Sequence, residues 1–222
     1  MDIFRQHEVF EIEVLDRMNS DKLLEPLVFG GGTMLRLCHE LNRYSANLDF
    51  WFIQSTPQQK YFEKMQTLLS ASYEVTDAQV KHYTLLCELR SAHYPKRLKI
   101  EVRKEVNACD YQKSIAFSKF STKQVLVNAH TLNQTMRNKI LAFLDRGEIR
   151  DCFDIEFLIR RGVRLAVASA AEADALETKV ASLRDIDFRV KLGSILEEDY
   201  REYYIENGFS LLKKKLAMVR PE

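Results

Sequence analysis

Proline and glycine are scarce in this chain, four and seven among 222 residues. So thin a supply of turn formers argues against an all-β sandwich and favours long helices. Excess charge is missing too: the formal net charge is +1. No global field therefore draws the protein to nucleic acid or anionic lipid, and any such binding must rest on a local patch. No uncharged apolar run approaches the ~20 residues that span a bilayer. The opening stretch MDIFRQHEVFEIEVL is studded with acids and has no apolar centre, so a signal peptide is not expected. Cys38, Cys87, Cys109 and Cys152 stand far apart, with no CxxC pair and no histidine at ligand spacing, and they read as reduced thiols of a cytoplasmic protein. Cys38 adjoins His39, but neighbours on a helix point to different faces. What remains is 46% hydrophobic and 29% charged, the profile of a globular chain with a real core.

The apolar periodicity divides the sequence in two. Phe4 to Leu24 carries Phe4, Val9, Ile12, Leu15 and Met18 at helical spacing, and Pro26 ends it. PLVFG reads as a short buried strand, and Gly30, Gly31 and Gly32 turn the chain into a second helix. Asn47 to Ile53 is a strand, followed by a helix from Gln58 to Ala71. From Tyr73 to Val127 the period becomes two: HYTLLCELR and RLKIEVRKE form a hairpin across SAHYP, and KQVLVNA is a further strand. Beyond that the pattern is helical. Thr131 suits a cap, Gly147 interrupts, IRDCFDIEFLIRR resumes, and two or three more helices follow, one within LAVASAAEADALETKVASL. The expectation is an α+β domain over residues 1–127 and a helical domain over residues 128–222.

A strand, a glycine-rich turn and a helix present backbone N–H groups at the positive end of a helix dipole, a seat for phosphate. Glycine admits the phosphate without a Cβ in its way. The turn is neither a Walker A loop, since no Gly-Lys-Ser/Thr follows, nor a GxGxxG fingerprint, and alone it serves equally as a packing turn. The strand after it adds chemistry. In NLDFWFI, Leu48, Phe50 and Phe52 face a core, so Asn47 and Asp49 face the turn. Oxygen donors at alternate strand positions suit Mg²⁺, which is held by one or two carboxylates plus substrate phosphates. Glu101, on the polar face of RLKIEVRKE, supplies a second carboxylate; the blander reading makes both acids solvated strand residues.

GGGTMLRL, then RYSANLDF, then LKIEV, then Lys139, Arg146 and Arg150 leading into RDCFD, resemble the successive motifs of the AbiEii-type nucleotidyltransferase toxins, from about Val28 to Leu158. That family lies within the DNA polymerase β-like nucleotidyltransferase superfamily. The resemblance implies a polymerase β-like mixed sheet with helices and a helical C-terminal domain. It implies an NTP substrate, Mg²⁺, transfer of a nucleoside monophosphate to an acceptor such as tRNA or another RNA, and a cognate antitoxin as partner. On that pattern Gly31, Gly32 and Thr33, with Arg36, Arg43 and Ser45, would hold the triphosphate. Asn47, Asp49 and Glu101 would bind the metal. Lys139 would neutralise charge on the phosphates, and Asp151 or Asp154 would orient Lys139 or the acceptor. Arg150 and Asp154, four residues apart, also suit an ion pair on a helix surface.

One position departs from the family. Where the family has Asp-x-Asp, this chain has Asn47-Leu48-Asp49. Asparagine keeps an oxygen ligand and loses a full charge, which weakens Mg²⁺ binding. Two functions follow: a nucleotidyltransferase with a weakened metal site, or a catalytically inactive nucleotide- or RNA-binding module on the same fold.

Overall fold

The structure is a computed structural model that describes residues 3–219. The chain forms two compact units, one of residues 1–40 and 45–130, the other of residues 41–44 and 131–222. The expected boundary at 127/128 falls within the last strand of the first unit, and Leu41–Tyr44 belong with the helices.

The first unit is built on a seven-stranded sheet. Its strands are β1 (Leu27–Gly30), β2 (Asn47–Phe52), β3 (Glu74–Val80), β4 (Thr84–Arg90), β5 (Leu98–Arg103), β6 (Tyr111–Phe117) and β7 (Gln124–His130). In space they run β3-β4-β5-β2-β1-β7-β6. The sheet is mixed: β2 pairs parallel with β5 and β1 parallel with β7, while the other neighbours are antiparallel. Alternation sorts the two faces. On β2 and β5, Leu48, Phe50, Phe52, Leu98, Ile100 and Val102 are buried. The residues between them, Asn47, Asp49, Trp51, Lys99, Glu101 and Arg103, are half-buried or exposed.

Two helices supply the apolar cover, α1 (Ile3–Ser20) through Phe10, Val14, Leu15 and Met18, and α3 (Gln58–Ser70) through Tyr61, Phe62, Met65 and Leu69. The Tyr61 ring meets Phe52 edge-on at 5.1 Å, and its hydroxyl, brought into this layer, donates to the Leu23 carbonyl at 3.0 Å. Each large side chain buried here stabilises the unit by about 1.5–3 kcal/mol. Two strands that periodicity did not single out, β3 and β6, are the two sheet edges. β3 buries no residue and β6 only Ala116, and neither carries a clean alternation.

The second unit is helical. In α4 (Leu132–Arg146) the Thr131 hydroxyl accepts from Gln134 N–H at 3.1 Å, and Gly147 closes the far end. Next come α5 (Ile149–Arg160), α6 (Ala170–Ala181), a π-helical turn (Asp187–Leu192), α7 (Glu198–Asn207) and α8 (Ser210–Val219). The alanine-rich helix starts later than its composition suggests because Ser169 takes the cap, accepting from Glu172 N–H at 3.2 Å. Helix α5 is buried from Asp151 to Ile159, Glu156 included. That carboxylate accepts from Leu212 N–H at the start of α8 (3.0 Å) and from Arg160 (3.1 Å), which offsets its removal from water.

Candidate active site

In the first unit the site begins at the end of β1. Gly30 is extended and Gly31 opens α2 (Gly31–His39) with φ of +76°, a conformation that carries strain for any residue with a Cβ. Space is short there too: a Cβ on Gly31 would lie 2.6 Å from Asp49 Oδ2. The turn and the strand acid are therefore in contact, and only glycine allows it. Gly30 is the register partner of Asp49 on β2, and Asp49 is the register partner of Glu101 on β5. Asn47 sits one step back, opposite Lys99. The structure thus brings Gly31, Asp49 and Glu101 together on one face of the sheet, away from the apolar side of β2 and β5, with Asn47 beside them.

The turn is braced from below. The Thr33 hydroxyl donates to the Asn47 carbonyl at 2.6 Å, and His7 Nε2 bonds the adjacent Ala46 carbonyl at 3.0 Å. Two consecutive carbonyls leading into β2 are thereby fixed. Arg36 is buried and donates to Glu8 of α1 at 2.5 Å. Burial raises the Glu11 carboxyl well above its usual range, with the Glu8 charge adding to the effect. Thr33 and Arg36, expected at the triphosphate, have their side chains in this buried layer. Ser45 is half-exposed on the segment between α2 and β2.

The remaining expected residues lie in the second unit and form a closed charge network. Arg43 grips Asp154 with Nε and Nη2, both at 2.6 Å. Lys139 Nζ reaches Asp154 at 2.6 Å and Asp151 at 2.9 Å. Arg146 holds Asp151 with two bonds of 2.7 and 2.8 Å. Both aspartates are 0% exposed and Lys139 is 7% exposed. Burial alone would raise the Asp154 carboxyl, but the Arg43 and Lys139 charges outweigh it and hold the pKa below the usual value. The spacing of Arg150 and Asp154 suited a surface ion pair. Asp154 points into the unit instead, where Arg43 and Lys139 are its partners, and Arg150 is exposed.

Sequence reasoning passed over Trp51, Lys99 and His130. Trp51 and His130 stand on the same face of the sheet as Asp49, with ring centroids 4.9 Å apart. The only signal for Trp51 was its place in the alternation of NLDFWF; strand order, which brings His130 beside it, is not local information.

For a divalent cation the donors fit in kind: two carboxylates on paired strands and an amide oxygen are hard oxygen ligands. Among the described residues no group of three or more His, Cys, Asp or Glu side chains could hold a metal by itself. A metal here would complete its shell with substrate phosphate and water, the usual habit of Mg²⁺.

A seven-stranded mixed sheet with helices of this arrangement is the fold of nucleotidyltransferases. The family described as nucleotidyl transferase AbiEii toxin, type IV TA system, matches residues 13–213, and the chain belongs to it. No curated protein matches the chain. A crystal structure of a candidate nucleotidyltransferase from H. pylori is 18% identical, with 96% of this chain and 98% of that one covered and a TM-score of 0.60. MenT4, a nucleotidyltransferase toxin from Mycobacterium tuberculosis H37Rv, is 15% identical over 96% and 95% of the two chains, with a TM-score of 0.52. No helix among the described residues is long and apolar enough to cross a membrane.

Proposed function

We propose that the protein is a Mg²⁺-dependent nucleotidyltransferase that moves a nucleoside monophosphate from an NTP to a hydroxyl of an RNA acceptor, tRNA being the first to test. The observation that carries this reading is the contact of Gly31 with Asp49 and the register of Asp49 with Glu101. The sheet register places these two hard oxygen donors side by side, the arrangement a divalent cation uses. Asp49 and Glu101, with the Asn47 amide oxygen, would hold Mg²⁺, which when bound polarises the α-phosphate and favours the hydroxyl's ionised form. The backbone N–H groups of Gly31, Gly32 and Thr33 seat the phosphates at the positive end of α2. Thr33 and His7 fix the Asn47 end of β2, so its donors are held before substrate arrives. In the transfer the acceptor oxygen bonds the α-phosphorus, pyrophosphate leaves, and the hydroxyl proton passes to solvent. Asp151 and Asp154 orient Lys139, and the family's description points to a cognate antitoxin as partner.

A second reading has its own support. Asn47 replaces the first acid of the family's Asp-x-Asp and stands opposite the cation Lys99, and this favours a module that binds nucleotide without transferring it. Incubation of the protein with each α-labelled NTP, Mg²⁺ and total tRNA separates the two. Label on RNA that disappears in Asp49→Ala is expected. Asp49-dependent NTP binding without transfer selects the binding module, and neither binding nor transfer sinks both.

A further inference from the structure

Strand β2 sends three side chains to the site face: Asn47, Asp49 and Trp51. Two are oxygen donors; the third is the single tryptophan of the chain. Packing of the core does not explain it, because Leu48, Phe50 and Phe52 serve the covered face of the same strand. The ring leans over Gly30, where a Cβ would fall 2.6 Å from Trp51 Cζ3 and 2.7 Å from His130 Nδ1. The missing side chain lets both rings close down on the strand one residue before the phosphate turn. His130 is buried and backs the indole at an interplanar angle of 54°, while Trp51 remains half-exposed. Its Cα lies about 7 Å along the strand from that of Asp49, a span that a ribose can bridge.

We propose that Trp51, backed by His130, is the stacking surface for the base of the nucleotide whose triphosphate occupies the Gly31–Thr33 turn. The inference rests on the nucleotidyltransferase reading above and adds to it the group that receives the base. Stacking on an indole tolerates all four bases, since each offers a π-face. No hydrogen-bonding side chain is assigned to the base, so the surface favours purines through overlap area and excludes none.

A single tryptophan makes the test direct, because fluorescence excited at wavelengths that the nine tyrosines do not absorb reports on that ring alone. ATP, GTP, CTP and UTP with Mg²⁺ are titrated into the full chain, and Mg²⁺–tripolyphosphate, which has no base, is the control. The expected result is quenching by all four nucleotides and little by tripolyphosphate. By calorimetry Trp51→Ala weakens NTP roughly tenfold and leaves tripolyphosphate unchanged, while Trp51→Tyr retains most of the affinity. Should Trp51→Ala misfold, Trp51→Tyr and the wild-type quench still decide. NTP binding that depends on Asp49 yet neither quenches nor responds at position 51 overturns the stacking surface and leaves the site reading intact. Equal loss of NTP and tripolyphosphate affinity makes Trp51 a support of the turn and overturns it as well. If neither ligand binds wild type, both readings fall.

Discussion

Asp151 and Asp154 are sealed in the helical unit, each shared between two cations, whereas Asp49 and Glu101 stand half-exposed and side by side on one face of the sheet. Residue type is nearly the same in the two places; environment is opposite. A carboxylate enclosed by guanidinium and ammonium groups has its charge answered within the fold, so it holds structure and orients its partners. Two carboxylates paired in register on a partly exposed strand face offer hard oxygen donors that a divalent cation can use. Acids left partly exposed beside a glycine turn point to ligand chemistry, and acids enclosed by cations point to architecture.

The largest test of that contrast is Asp154→Ala. It leaves Arg43 and Lys139 buried without their shared carboxylate, and a loss of about 3–5 kcal/mol of stability is expected in urea titrations. Asp49→Ala should abolish Mg²⁺-dependent NTP binding while changing stability by less than about 0.5 kcal/mol. Equal destabilisation by the two substitutions would break the comparison.

Acid sharpens it next. Burial pushes His130 down to about 4, below its ordinary 6.5. Between those values the unfolded chain binds the proton and the folded one does not, so stability is present above pH 6.5 and is lost as pH falls toward 4. The loss is on the order of 3 kcal/mol, and His130→Asn should flatten it in melts taken from pH 7 to 4.5. Asp154, held below its usual value, acts later, with stability lost only as pH falls below about 4.

A smaller effect is expected for Gly31→Ala. Its φ of +76° and the nearby Asp49 Oδ2 together predict roughly 1–2 kcal/mol of strain and a marked loss of NTP affinity, both measurable on one purified sample. The least perturbing change is Asn47→Asp. It should tighten Mg²⁺ binding by a second charge, blunted by Lys99 opposite. Unchanged Mg²⁺ affinity would show that position 47 does not face the metal.

Much of this was legible locally. Alternation in NLDFWF and LKIEV separates core from site on both strands, and Thr131 and Gly147 bound α4 as capping chemistry says they should. The sheet edges were not legible, because β3 and β6 bury too little to impose a period. Spacing also misled at Asp154. Four residues on a helix share a face, but nothing in the interval says whether that face is wet, and the true partner, Arg43, lies 111 positions away. Arg36 is similar: its place beside the turn was evident, its bond to Glu8 was not.

Residues Leu41–Tyr44 belong with the helical unit though they precede most of the sheet. Tyr44 N–H donates to the Ile195 carbonyl at 2.8 Å, and Arg43 waits for Asp154. During synthesis this short segment leaves the ribosome long before its partners exist. The helical unit therefore cannot mature until synthesis has passed Ile195, and its closing contacts are widely separated in sequence, the kind that form slowly. A nascent chain stopped at residue 130 carries a guanidinium with no Asp154 to receive it.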